Sequence, residues 1–529
     1  MSPTKPTVHT KLDQRGALRR FSASAMAVSM LVLGACENEA TNLPIKKASI
    51  ALTAENNVAN VTKNLTDSMG FLAESDSLAG SLNSLRDCEQ YTPPEQSRPC
   101  TVKGDPSCDE PPPEAEPVEP SNECDTASMK QDLAEMKDEM QGEIDEFVAR
   151  LKAEIFTPDN VESETDTEIV YKVPLTVACE DASDTECTDD WRRGQYRLRV
   201  TSPSEGDLDV GLLMTANRLE TVTFKLYDNK IGFSVDLGAF VEAGRTIDPQ
   251  EFDDVTRAAG VVEMSLVKND ARDFSLVGEI KKAIDIAVTE TDEDTLETET
   301  FAFKVDESDR TYELRLDGNQ KKVSAHVNVG LFQVSAPLGG LGGMFGTGDA
   351  MKTADLFNFV LGGVNGTLTL DDASDLIKFT KLGLGDKSTT ISVNGKEVFT
   401  LDVNKNSGRR FDMTASMTNT DTPIMTFDPG LSVAMKFDFS SIRNRFESMP
   451  AWLNNDTVAI ELTGNKPTIR SRLESLEVVS GTLRYSSNAV PSENVTVNAG
   501  QCLLSETPYD TDPPPAHDIL SRLSAGACE

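Results

Sequence analysis

From Thr167 to about residue 500 the chain keeps a period of two. Ile169, Tyr171, Val173, Leu175 and Val177 alternate with polar neighbours, as do Tyr196, Leu198 and Val200, and then Leu208, Val210, Leu212 and Met214. The pattern returns at Val222, Phe224, Leu226, at Ile231, Phe233, Val235, Leu237, over Val323–Leu331 and Leu431–Phe439, and at Val458, Ile460, Leu462. Successive strand side chains point to opposite faces, so strict alternation gives one buried and one wet face, the habit of antiparallel sheets. Asn394-Gly395 between ISV and KEVFTLDV is a hairpin turn signal, and Tyr227-Asp228-Asn229-Lys230 reads as a second turn. More than a dozen such segments predict a large antiparallel β domain over 168–505. The Gly-rich stretch 338–348 is the candidate hinge or long loop within it.

Ahead of that domain the rhythm is helical. Val58, Val61, Leu65, Met69, Leu72, Leu78, Leu82 and Leu85 recur at helical spacings, interrupted by Gly70 and Gly80. Met129, Leu133, Met136, Met140, Ile144, Phe147, Leu151 and Ile155 form a cleaner stripe, with Asp125 or Thr126 as cap. Residues 88–124, with Pro111-Pro112-Pro113, read as loop. The expected fold is therefore α+β and predominantly β. A helical hairpin over 49–157, with a disulfide loop at 88–124, precedes the β domain, and a disulfide-tied tail follows over 506–529.

The N-terminus carries five basic residues and one acid in its first 20 positions, followed by the uncharged run Phe21–Ala35 and then Leu33-Gly34-Ala35-Cys36. A positive flank, a short apolar run and small residues before a cut form the pattern of a secretory signal. The last four residues resemble the lipobox of bacterial lipoproteins. That resemblance covers residues 1–36 only. It implies a signal peptide over 1–35, a diacylglyceryl group on Cys36, a tether over 36–48 and attachment to a cell-envelope membrane. Glu37, in place of the Asp that retains such proteins at the inner membrane of enteric bacteria, points to the outer membrane. Two or more acyl chains give stable anchoring, at about 0.8 kcal/mol per buried methylene.

With Cys36 lipidated, eight cysteines remain: Cys88, Cys100, Cys108, Cys124, Cys179, Cys187, Cys502 and Cys528. An even count in an exported chain predicts four disulfides, and neighbour pairing is the simplest of 105 connectivities. A zinc site lacks its spacing, with no CxxC pair, and lacks histidine, since His9, His326 and His517 are the whole supply.

The formal net charge is −37, and −41 once a leader with five bases and one acid is gone. This excludes nucleic acid as a partner, whose binding depends on Lys and Arg neutralising phosphates. It also leaves membrane attachment to the lipid. Asp181, Asp184, Glu186, Asp189 and Asp190 crowd the loop around Cys187, but the spaced calcium-loop pattern is absent. PLGGLGGMFGTGDAMK lacks the lysine of a phosphate loop, and there is no HExxH or GxSxG. No catalytic residue, metal or cofactor is expected.

The expected function is a membrane-anchored, non-catalytic structural or partner-binding lipoprotein. The first alternative is a carrier holding a lipid or other apolar ligand between sheet and helices. A hydrolase using an acid pair that the sequence does not single out comes third. A membrane barrel is disfavoured, because two Trp and seven Tyr do not furnish its aromatic girdles.

Overall fold

The computed structural model describes residues 43–74, the positions 131, 135, 138, 142, 146, 149 and 150, and residues 151–528 apart from 180–182, 292–297, 338–355, 372–373, 417–422, 441–455, 473–474, 489–492 and 506–522. Within these residues the protein is predominantly β. All its strands join one antiparallel sheet of 25 strands.

The sheet begins as a meander of β1 (Val161–Glu164), β2 (Glu168–Lys172), β3 (Arg197–Thr201), β4 (Leu208–Met214), β5 (Leu219–Tyr227), β6 (Lys230–Asp236), β7 (Val255–Asp270) and β8 (Asp273–Thr291). Each strand pairs with the one before. From β8 on, most crossings of the sheet are made by two strands laid end to end. The first half of β8 pairs with β10 (Ser308–Asp317) and its second half with β9 (Thr298–Val305). The next crossings are β11 (Lys322–Val329) with β12 (Phe332–Pro337), β13 (Leu356–Leu361) with β14 (Val364–Asp371), β15 (Ser374–Leu384) with β16 (Thr389–Val393), β17 (Lys396–Val403) with β18 (Arg410–Ser416), and β19 (Ile424–Asp428) with β20 (Leu431–Phe437). β21 (Asp456–Ser471) and β22 (Ser475–Ser487) run the full width. β23 (Glu493–Asn498), β24 (Gln501–Ser505) and the edge strand β25 (Leu523–Ala527) complete the sheet. Every crossing pairs only with its neighbours in sequence. The breaks between the two arms line up as a crease.

Backbone chemistry sets the crease. Gly362 sits so close to the next crossing that a methyl there would collide with the Lys387 carbonyl. Gly430 lies at φ +145 against the Leu462 carbonyl, a conformation open to glycine and costly for other residues. Asn404, buried and left-handed, stitches the break between β17 and β18 to β20. Its Oδ1 accepts from the Ser432 N–H at 2.6 Å, and its Nδ2 donates to the Gly430 carbonyl at 3.1 Å. Arg409, also buried, donates to Asp402 Oδ1 at 2.7 Å and to Ser388 Oγ at 3.0 Å.

Helix α1 (Lys47–Glu74) covers the N-terminal part of the sheet. Ile50, Ala54, Val58, Val61 and Leu65 are buried on one face, in a core with Tyr171, Leu198, Val200, Leu226 and Phe274. Two asparagines on the helix fix its seat. Asn57 Nδ2 donates to the Gly206 and Leu226 carbonyls, each at 2.7 Å. Asn64 Nδ2 donates to the Asp273 carbonyl, and its Oδ1 accepts from the Arg272 N–H, both at 3.0 Å. At the other end the sheet packs on itself. Phe427 on one arm meets Leu462, Leu483 and Val497 on the other, with Ile469 and Val478. That contact shows that the apolar sides of the two arms fold toward each other.

Several expectations are corrected. Leu175 and Val177 do not continue β2. Pro174 fixes φ at −65, and Leu175–Ala178 form a helical turn instead. Two helices inside the β domain were not expected: α2 (Thr185–Gly194), capped by Asp184, and α3 (Leu237–Ile247), capped by Asp236. Leu237 therefore opens α3 rather than closing a strand. The sheet also starts at Val161 rather than at 168.

Of the expected hairpin, the first arm is α1, described as far as Glu74. In the second, Gln131, Glu135, Asp138, Gly142 and Glu146 are helical and exposed. Its stripe ends with Leu151 and Ile155 buried in the core through a π-helical turn. The loop 88–124 and the stripe residues from Met129 to Phe147 lie outside the described residues.

Candidate apolar binding face

Antiparallel register places cross-strand partners on one face, and on the creased half of the sheet this builds an unbroken apolar row. Ile286 pairs with Phe303, Phe303 with Val334, Val334 with Phe359, Phe359 with Ile391, Ile391 with Phe399, and Phe399 with Phe437. Phe332, in the adjoining row, meets Phe303 edge-on at 5.2 Å and Phe359 at 6.2 Å, and the Phe399 and Phe437 rings lie 5.2 Å apart. Along β12, β13, β16 and β20 every position in phase with this row is apolar except Thr389. On the other arm a second row runs Leu208, Leu226, Ile231, Leu266, Leu276, Leu314, Ala325, Leu368, Phe379, Met413, Phe427.

The two rows differ in cover. Leu208, Leu226 and Ile231 are buried in the core that α1 closes, and Phe427 in the distal core. All seven residues of the row from Ile286 to Phe437 are only half-buried, and none belongs to either of those cores. Strand spacing of about 4.8 Å makes this row about 29 Å long. One leaflet of a hydrocarbon core about 30 Å thick is about 15 Å, so the row exceeds the length of an acyl chain.

Polar groups meet this face at two points. Thr389 Oγ1 is buried without a hydrogen-bond partner. At the end of the row, Phe437 pairs with Asp456, which is 6 % exposed and whose Oδ2 is also unpartnered. Burial pushes the Asp456 carboxyl above its ordinary value. The sequence carried a signal for it, because Asp456 occupies the apolar phase of Val458, Ile460 and Leu462.

The residues singled out by sequence fall elsewhere. Cys179–Cys187 and Cys502–Cys528 are disulfide-bonded, with Cα atoms 6.0 and 5.1 Å apart. Cys36, Cys88, Cys100, Cys108 and Cys124 lie outside the described residues, as do Asp181, His9, His517 and the 338–348 stretch. The chain enters the fold at Leu43, whose N–H donates to the Ser202 carbonyl at 2.7 Å, and at Ile45, bonded to the Asp166 carbonyl at 2.9 Å. The acidic loop serves α2. Asp184 Oδ1 caps it and Asp189 pairs with Arg192 at 3.0 Å, while burial raises the Asp190 carboxyl. His326 Nδ1 lies 3.0 Å from Thr367 Oγ1 on the polar face. Among the described residues no group of three His, Cys, Asp or Glu side chains could hold a metal ion, and no helix is long and apolar enough to cross a membrane.

A small cleft of about 240 Å³ lies between β2 and α2, lined by Trp191, Tyr196, Val173 and three basic side chains. Trp191 Nε1 donates across it to the Val173 carbonyl at 3.0 Å, and Arg197 is held by Glu162 at 2.5 Å. Burial pushes the Tyr196 hydroxyl up to about 12. Trp191, Arg192 and Arg197 are thus already engaged by Val173, Asp189 and Glu162.

No family model, curated protein or solved structure matches the chain.

Proposed function

We propose that this protein is an exported, non-catalytic lipoprotein, anchored by Cys36 to the outer membrane of a bacterial cell envelope, that holds a hydrocarbon chain along its creased sheet. One observation carries the reading: the half-buried row from Ile286 to Phe437, longer than an acyl chain and continuous across seven strands. Apolar surface of this kind is stabilised when removed from water, at about 25 cal/mol per Å². The cores at the two ends of the sheet, with a smaller one at Val393 and Val398 against which Ile391 packs, suit a rigid cradle.

The test is mass spectrometry of lipid carried by a mature Cys36→Ala form purified without detergent. A bound single- or double-chain lipid is expected, and it should be depleted in Phe359→Ser. An empty Cys36→Ala form would remove the carrier reading and leave a scaffold. The scaffold is the second reading, and the self-packed core around Phe427 and Leu462 favours it. Membrane retention of Cys36→Ala would separately overturn the anchor.

A further inference from the structure

We infer that the apolar row ends in a head-group site at Asp456, and that its ligand is a long-chain amphiphile with a cationic amine head. The inference rests on the proposal that the row holds a hydrocarbon chain, and it adds the polarity of that ligand.

Three observations carry it. Asp456 follows Phe437 directly in the cross-strand register, so its side chain is on the same face as the seven apolar residues. It is 6 % exposed and its Oδ2 has no hydrogen-bond partner. A buried polar atom left unpaired costs about 1–3 kcal/mol, and native structures rarely leave one without a reason. Finally, among the described residues no hydrogen bond or ion pair joins the carboxyl to a cation, whereas the Asp402 and Asp273 carboxylates are both met by arginine.

The chemistry of the head follows. A carboxyl at the end of a hydrocarbon track accepts hydrogen bonds from a donor. An ammonium supplies three N–H donors and a charge that draws Asp456 into its ionised form. A carboxylate or phosphate head would set like charges together in a desolvated place. The net charge of −37 also concentrates cations rather than anions near the surface. The alkyl chain then lies across the strands from β20 back toward β8, against the rings of Phe399, Phe359 and Phe303.

The experiment measures tetradecylamine, tetradecanol and tetradecanoate, below their aggregation limits, against the full mature Cys36→Ala chain by titration calorimetry. The amine is expected to bind at least about tenfold more tightly than the carboxylate, or about 1.4 kcal/mol, with the alcohol between them. In Asp456→Asn and Asp456→Leu that ratio should fall to about one while the alcohol still binds, and circular dichroism checks that both variants fold. Equal binding of the three heads to the parent chain, or a ratio that survives both substitutions, would overturn the head-group site and leave the hydrocarbon track standing. Failure of all three ligands to bind would overturn both.

Discussion

Lys225 of β5 reaches past β6 to Glu263 of β7, with Nζ 3.0 Å from Oε2, and Glu263 is wholly buried. Lys230 holds the second carboxylate oxygen. The ion cluster lies on the face opposite the core, in phase with Thr223 rather than with Val222 and Phe224. Burial alone would raise the Glu263 carboxyl, but hydrogen bonds and charge from Lys230 and Lys225 outweigh it and hold it below its ordinary value. A carboxyl depressed in the folded state contributes stability above its unfolded pKa of about 4.3 and loses it as pH falls through the lower folded value. Urea midpoints should therefore drop below about pH 4, less steeply in Glu263→Gln. At pH 7 that variant should lose about 3–5 kcal/mol, because the buried Lys225 and the half-buried Lys230 are left without their partner.

The two asparagines on α1 make a second prediction. In Asn64→Leu the Asp273 carbonyl and the Arg272 N–H lose their partner in a buried place. A cost of about 2–4 kcal/mol is expected from two such groups. Hydrogen exchange should show faster opening of α1 and of the turn between β7 and β8, with β21 and β22 unchanged.

The crease gives a third. Asn404→Ala removes the side-chain bonds to Gly430 and Ser432 and puts a Cβ residue without local hydrogen bonding at φ 44. About 2–4 kcal/mol should be lost. Gly362→Ala should do more and prevent the two arms from closing, read as new protease cleavage between β13 and β16.

The last hairpin gives a fourth. Cys502 and Cys528 are 26 residues apart and tie β25 to the sheet. A closed loop of that size stabilises by about 3–4 kcal/mol in the chain-entropy account. Replacing both with serine should cost about that much and release β25 to protease, while β21 and β22 stay protected.

Much of the β architecture was legible in the sequence, for reasons its residues state. Alternation at Leu431–Phe437 and Val458–Leu462 gives the strands and their apolar face. Asn394-Gly395 gives a hairpin, since both residues adopt the positive φ it needs. Alternation alone does not distinguish a strand from a short turn, and Leu175 and Val177 keep the alternation although Pro174 turns the chain into a helix there. The caps Asp184 and Asp236 announced α2 and α3 but were masked by neighbouring strand rhythm. The crease was invisible to periodicity, because each arm keeps a period of two and the break shows only when the glycines of successive crossings stack. Asp456 was missed because an acid beginning a strand reads as loop until register puts it beside Phe437.

The neighbour-only pairing of the sheet sets an order of assembly. A chain delivered N-terminus first can finish each crossing as the next one emerges, and no strand waits for a distant partner. Helix α1 is the exception. It emerges before any strand, yet Asn64 bonds to Asp273, 209 residues later. Its row of Ile50, Val58, Val61 and Leu65 must stay uncovered until seven strands are made and β8 has begun. That row is the part of the nascent protein that a chaperone would hold, and α1 is the piece whose docking signals that the first core is complete.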